Sequence, residues 1–283
     1  MPLNTSLVGK EYESDTYEVT ADAIEAYARA TNDLNERYIG GDDVVASPIF
    51  PIVPAFQFLM KAGMDPELEA DLIRLVHGEE EHVLHKPIRP GDKLTLTPVI
   101  ESIEQKDTGE TFTVKVTETN QDGDVVAVVR ATSFIRGTGS RNQPPTRPGS
   151  STQGEEREIV YEEATKVDED QTVRYAAASG DPNPIHTDEA MAKMSGLPGI
   201  INHGMCTMAI ATKAAVDGLA GGDPTRVSRV ACRFSKPVFP GQELTTKVWK
   251  ESESGGTTTY GFETYNPEGA PVIKNATIDI AGA

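Results

Sequence analysis

Two distant stretches of this 283-residue chain are near copies of each other, and that repeat constrains the fold more than any other property. "KPIRPGDKLTLTPVIES" from Lys86 returns as "KPVFPGQELTTKVWKES" from Lys236, an offset of 150 residues. "ATSFIRG" from Ala131 returns as "ATIDIAG" from Ala276 at an offset of 145, and "YARATNDLNERY" from Tyr27 returns as "YAAASGDPNPIH" from Tyr175 at an offset of 148. Between the copies, Thr138 to Glu156 is rich in Gly, Pro, Ser and polar residues without helical or strand periodicity, the composition of a linker. The length suits two domains of about 140 residues, each able to bury its own core. The organisation expected is therefore an N-terminal domain over 1–137, a linker over 138–156 and a C-terminal domain over 157–283.

Both halves show the same order of elements. Thr20 and Asp168 read as N-caps, the latter with Gln171 three residues on, and the helices they open run to Asn32 and Gly180, residue types that tolerate a left-handed end. Thr187 is expected to cap a short helix through Met194 that stops at Gly196. "HGMCTMAIATKAAVDGLAG", His203 to Gly221, is apolar around most of its circumference, as a helix buried on several sides should be, and "PAFQFLMKAGM" holds that place in the first half. Alternating, β-rich segments follow in each half, with Asp122-Gly123 as a hairpin signal. Helices first and antiparallel strands after predict an α+β fold.

Charge and cysteine usage remove several function classes. With 44 acidic against 26 basic residues and a net charge of -18, the chain is a poor partner for nucleic acid or an anionic membrane surface. Cys206 and Cys232 make no disulfide framework and sit in apolar surroundings, which predicts reduced, buried thiols and a cytoplasmic protein. The N-terminus lacks a signal-peptide pattern, no apolar run approaches the ~18 residues of a membrane span, and the sequons at Asn4 and Asn275 would matter only after secretion.

Chemistry concentrates in "SGDPNPIHTDEA", Ser179 to Ala190. Asp181 and His186 lie five residues apart on a loop and can address one small molecule between them, most simply water. Pro182 and Pro184 narrow the backbone conformations of that loop, the positional precision that general acid–base catalysis needs. Asn183 can orient a partner without changing charge, because its amide both donates and accepts. The competing account of Asp181 and Asn183 is a turn in which each bonds its own backbone. Downstream, a helix opening at His203-Gly204 would offer unpaired N–H groups and a positive dipole end to a substrate carbonyl, with Gly204 permitting close approach. In the first half Asp33 and Asn35 align with Asp181 and Asn183, but Tyr38 stands in the place of His186 and both prolines are missing. One copy reads as active and the other as degenerate.

"YAAASGDPNPIH" with "NHGM" from Asn202 resembles the hydratase 2 signature of the MaoC-like, (R)-specific enoyl-CoA hydratases, specifically at Gly180, Asp181, Asn183, Pro184 and His186. The resemblance runs through both halves and is closest to two-domain members in which a degenerate N-terminal hot-dog unit is fused to a catalytic one. Ala178, where the family more often has a larger aliphatic residue, departs from it. The resemblance implies a double hot-dog fold, each unit a central helix wrapped by an antiparallel sheet, and reversible syn hydration of a trans-2-enoyl thioester. It implies Asp181 and His186 as the water-activating pair, Asn183 as their positioning partner and the Gly204 amide as oxyanion donor. Lys86 and Phe234 become substrate contacts, joined by the loop residues Pro182, Pro184 and Ile185 and by Arg89. Lys86, Arg89, Arg233 and Lys236 are expected to gather where the anionic CoA enters a tunnel between the halves. The partner expected is an acyl-CoA or acyl-carrier-protein thioester, with a homodimer as the oligomer considered.

Other readings make weaker use of the residues. His77, His82 and His85 are close in sequence, but strand alternation puts 82 on the face opposite 77 and 85, so without a bulge they do not ligate one ion. No metal and no cofactor are expected. Cys206 sits inside the apolar helix with no base beside it, and "GTGS" from Gly137 is too short for a phosphate loop. A hot-dog thioesterase would share the architecture and ligands but lack the D-x-N-P-x-H loop. A non-catalytic acyl-CoA or acyl-carrier binding module is the remaining alternative, and turnover separates it.

Overall fold

Strand order reproduces the sequence repeat. The computed structural model describes residues 2–137, apart from 42 and 73, and 157–282; the linker expected at 138–156 lies outside the described residues. Among the described residues ten antiparallel strands form one sheet: β1 (Asp15–Glu18), β2 (Leu75–Leu84), β3 (Lys93–Lys106), β4 (Gly109–Thr119), β5 (Val125–Arg136), β6 (Ile159–Lys166), β7 (Val227–Phe234), β8 (Glu243–Ser254), β9 (Thr257–Tyr265) and β10 (Pro271–Ala281). Their order is β1-β3-β4-β5-β2-β7-β10-β9-β8-β6. Read outward from the β2–β7 seam the two halves have identical topology, as two copies related by a pseudo-twofold axis must. The copied lysine segments lead into β3 and β8, and the Asp122-Gly123 turn joins β4 to β5 with Gly123 at φ 84°.

Each half wraps a helix. α2 (Ile52–Gly63) packs on β3, β4 and β5, and α5 (Gly204–Leu219) packs on β6, β7, β8 and β10. α5 is buried along nearly its whole length, through Met205, Cys206, Met208, Ile210 and Val216 and through small residues such as Ala211 and Ala215. Small side chains let the sheet close over the helix, and each fully buried large apolar side chain contributes ~1.5–3 kcal/mol. Helix and wrapping sheet, twice over, make a double hot-dog arrangement of the α+β class. Cys206 and Cys232 are buried free thiols.

The short helices α1 (Ala21–Ala30) and α3 (Gln171–Ser179) meet across the pseudo-axis. Tyr27 and Tyr175, equivalent in the repeat, touch there, with hydroxyls 3.5 Å apart and ring centroids 5.7 Å apart. Thr20 caps α1 by accepting the Ala23 N–H, and Asn32 and Gly180 take left-handed φ values of 56° and 75°. Two cap positions differ from expectation. The N-cap position of α3 is Asp170, not Asp168: the Gln171 side chain does accept the Asp168 N–H, but the Asp168 carboxylate turns away to Arg174 at 2.7 Å and Asn32 at 3.0 Å, tying the halves together instead of capping. α4 (Glu189–Met194) is capped by Asp188, whose Oδ1 accepts the Ala190 and Met191 N–H groups, in preference to Thr187 one residue earlier.

Candidate active site

Local hydrogen bonding explains how the loop after α3 presents its side chains. Gly180 turns the chain, and the Asp181 N–H donates to Ser179 Oγ at 3.3 Å. Asp181 Oδ1 then accepts the Asn183 N–H at 3.0 Å, and Asn183 Oδ1 accepts the Ile185 N–H at 3.3 Å, opening a 3-10 turn over Pro184–His186. The turn account and the catalytic account of these residues are therefore compatible, since each side chain commits one oxygen to the loop. The Asn183 side chain spends its carbonyl on this turn; its bond to the Asp181 carboxylate comes from its backbone N–H, and its side chain makes none to that carboxylate or to the His186 ring. His186 Nδ1 lies 2.8 Å from the Ile201 carbonyl, which only accepts, so Nδ1 carries the hydrogen and Nε2 keeps its lone pair in the neutral ring.

α5 starts beside this pair. His203, its N-cap residue, stacks on His186 with centroids 3.7 Å apart and an interplanar angle of 27°, and its Nε2 is 3.9 Å from Asp181 Oδ2. Asp181, His186 and His203 each bring one donor atom into a group no wider than 4.8 Å. Bonds of 2.0–2.1 Å to a tetrahedral ion require donors about 3.3 Å apart. The 3.9 Å separation is wider than that and leaves room for a water at hydrogen-bonding distance from both. No side chain caps α5, so its first N–H groups, Gly204 among them, remain available to an acceptor beyond the helix. A Cβ at Gly204 would come within 3.3 Å of the Phe234 ring, so glycine lets that ring lie close against its Cα.

Burial dominates the electrostatics. It raises the Asp181 carboxyl above its usual range, with the Asn183 N–H opposing, and it lowers His186, with the Ile201 carbonyl opposing. The two proton affinities converge, as an acid–base pair exchanging one proton requires. His203 is pushed down to about 2, by burial first and then by His186, with Asp181 opposing, and neither ring nitrogen makes a hydrogen bond of good geometry. Its folded-state pKa lies below the unfolded value of 6.5, so below pH 6.5 the unfolded chain takes up a proton that the folded protein refuses, and stability is lost as pH falls. At pH 5 this amounts to about 2 kcal/mol. Urea unfolding of the wild type and His203→Gln at pH 7 and pH 5 should show a steeper acid loss in the wild type; parallel losses would contradict it.

Sequence comparison decides the family. 3-Hydroxyacyl-thioester dehydratase Y of Mycobacterium tuberculosis is 32% identical over 221 residues, covering 74% of this chain and 72% of that protein. The chain is a member of the MaoC-like dehydratase family. Its C-terminal half, residues 151–269, matches the MaoC like domain, and residues 6–129 match the FAS1-like dehydratase domain region. Peroxisomal multifunctional enzyme type 2 of Mus musculus is 28% identical over 264 residues, 91% of this chain but 35% of that enzyme, so the chain spans about a third of its length. The crystal structure of a MaoC-like dehydratase from Phytophthora capsici superposes with a TM-score of 0.85 at 23% identity, covering 99% of this chain and 98% of that one, a likeness of fold.

The N-terminal half of this MaoC-like dehydratase keeps an altered copy of the site. Asp33 Oδ1 accepts the Asn35 N–H at 3.2 Å, repeating the turn of Asp181, but the buried Tyr38 replaces the imidazole. The space between Asp33, Tyr38, Ser47 and Thr212 is about 10 Å³, enough for one water and no substrate. Burial raises Asp33 to about 6, and the Tyr38 and Ser47 hydroxyls have no partner. Tyr38→Phe should therefore leave turnover unchanged and alter stability by less than about 1 kcal/mol, measured by steady-state kinetics and thermal melting. A collapse of activity would mean that this copy performs chemistry.

The other expected contacts are distributed unevenly in the MaoC-like fold. Phe234, at the end of β7, sits against Gly204, and Ile185 is half-buried between the exposed Pro182 and Pro184. Lys86 and Arg89 pair with Asp124 and Asp43 of their own half and make no bond to Asp181 or His186. Arg233 lies 3.9 Å from Glu79. Two residues of the region escaped sequence reasoning. His203 was legible only as a helix start, although its place beside Gly204 in "NHGM" was the available signal. His77 packs on Phe234 at 4.8 Å, and nothing in its own half announces that. No helix among the described residues is long and apolar enough to cross a membrane.

Proposed function

We propose that the protein catalyses reversible hydration of trans-2-enoyl-CoA to (3R)-3-hydroxyacyl-CoA. The observation that carries this reading is the convergence of Asp181 and His186, with His203, beside the uncapped start of α5. The thioester carbonyl accepts from the Gly204 N–H, assisted by the helix dipole, and its polarisation makes Cβ electrophilic. Water between Asp181 and His186 loses a proton as its oxygen bonds Cβ, and the pair returns a proton to Cα. Asn183 fixes the loop and the Asp181 carboxylate through its own backbone. One oxyanion donor contributes ~10²–10³ in rate and positioned acid–base groups ~10²–10⁴.

Phe234 and Ile185 line the acyl path in this reading, and the two prolines stiffen the loop that flanks it. Lys86 and Arg89 serve CoA phosphates only by exchanging their present carboxylate partners. Residues 1–137 act as the substrate-holding unit and 157–283 as the catalytic one. A single chain already supplies both units, so a homodimer is an addition to the site, not a requirement of it. CoA is the thioester carrier proposed, with acyl-carrier protein as the comparison substrate, and the buried thiols suit a reducing compartment such as the cytoplasm. Purified protein should hydrate crotonyl-CoA and longer trans-2-enoyl-CoAs to the 3R alcohol by chiral analysis. Thioester hydrolysis in place of hydration, or binding without turnover, would overturn the reading.

A further inference from the structure

We propose that His77, from the N-terminal half, is a positioning residue of the active site, its ring fixing Phe234 over the Gly204 end of α5 while Glu80 and His82 hold it in place. The inference rests on the hydratase reading. It begins with a bulge: β2 pairs His77 with Ser133 but Glu79 with Thr132, so Gly78 is an extra residue in the strand. A Cβ on Gly78 would stand 3.3 Å from the Thr132 carbonyl oxygen, which is why glycine suits the bulge. The inserted residue moves His77 onto the face shared by Glu80 and His82. Strict alternation forbids that juxtaposition, so the bulge corrects the expectation that His77 and His82 face apart, and both meet the Glu80 carboxylate.

Glu80 is wholly buried and both its oxygens are used: Oε2 lies 2.8 Å from His77 Nε2 and Oε1 lies 2.9 Å from His82 Nε2. Burial alone would push the Glu80 carboxyl up, but the hydrogen bonds from His77 and His82 outweigh it and hold the group below 4.5. An ionised buried carboxylate that lost one of these bonds would be strongly penalised, so the arrangement is rigid. His82 Nδ1 completes it by reaching the Pro48 carbonyl at 3.2 Å, just ahead of α2. Glu80 also stands opposite Cys232 across the β2–β7 seam, which anchors the cluster to the catalytic half.

The outer end of the chain of contacts meets the site. The His77 ring lies edge-on to Phe234, centroids 4.8 Å apart and planes at 63°, and the Phe234 ring also lies against Gly204, where an added Cβ would meet it at 3.3 Å. A side chain of the degenerate half thus backs the wall of the proposed carbonyl site, which gives that half a structural reason to persist after losing its own imidazole.

The test is steady-state hydration of crotonyl-CoA by full-length His77→Ala, His77→Phe, Glu80→Gln, Phe234→Leu and the His77→Ala/Phe234→Leu double variant, with melting temperatures recorded alongside. A misplacement of about 1 Å in a reacting geometry costs up to ~10²-fold. His77→Ala should lower kcat at least about tenfold with KM within about threefold, and His77→Phe, which restores a ring against Phe234 without the bond to Glu80, should recover part of it. Glu80→Gln, which keeps the His77 ring and weakens its tether, should lose less than His77→Ala, and the double variant should be no slower than Phe234→Leu alone. Wild-type kcat in His77→Ala, or additive losses in the double variant, would overturn the proposal, as would lower melting temperatures with unchanged kcat. If His77→Ala does not fold, equal kcat in the wild type, His77→Phe and Glu80→Gln overturns it, and a lower kcat in both variants with KM little changed supports it. A wild type that hydrates no enoyl-CoA defeats the hydratase reading itself, a result distinguishable from these.

Discussion

Asp181→Asn should reduce kcat/KM by about 10³-fold or more while the protein keeps its fold, because asparagine can still accept the Asn183 N–H but cannot take a proton from water. His186→Ala should lose a similar amount, and the double variant little more than either single one, since groups acting on one water are not additive. The pH profile supplies an independent check. Burial lowers His186, so its neutral form persists below pH 6.5, and the acid limb of kcat/KM should lie at lower pH than an ordinary histidine gives. The measurements are steady-state kinetics over pH and circular dichroism of each variant. Wild-type rates in either single variant would remove that residue from the mechanism.

The second large effect concerns stability. Glu118 on β4 is fully buried on the inward face, next in alternation to Val116 and Val114, and neither carboxylate oxygen has a partner. Burial pushes its carboxyl well above the usual range. Glu118→Met should therefore stabilise the protein by about 2 kcal/mol or more at pH 7, because an unpartnered buried polar group costs ~1–3 kcal/mol and a charged one more. The sign with pH follows from the raised value. Above pH 4.5 the unfolded chain releases a proton that the folded Glu118 retains, so the contribution of this one group to wild-type stability falls as pH rises, by about 1.4 kcal/mol per unit until the group ionises in the folded protein. The advantage of Glu118→Met should shrink on going from pH 7 toward 4.5. Urea denaturation at both pH values tests this, and a destabilised or inactive variant would mean that Glu118 has a partner in the working protein.

The sequence carried the topology because a fused duplication writes its fold twice. An offset near 150 aligned Asp33 with Asp181, and the same offset reappears as the Tyr27–Tyr175 contact on the pseudo-axis. The loop around Asp181 was legible because its turn bonds are local, each spanning two residues. His203 and His77 were not, because their roles depend on long-range placement. His203 matters through a ring 17 residues earlier, on a separate loop, and His77 through the Gly78 bulge, which breaks strand alternation, and through Phe234 of the other half. Cap positions slipped for a related reason: Asp168 was drawn from its own helix by Arg174 and by Asn32 of the other half.

Hydration of a trans-2-enoyl-CoA in deuterium oxide, with the product's relative configuration read by NMR, tests the central claim most directly. One water held between Asp181 and His186 on a single face of the substrate requires the hydroxyl at Cβ and the deuteron at Cα to arrive from the same side. A syn-labelled 3R product is the predicted result, and an anti or scrambled label would contradict the shared-water site.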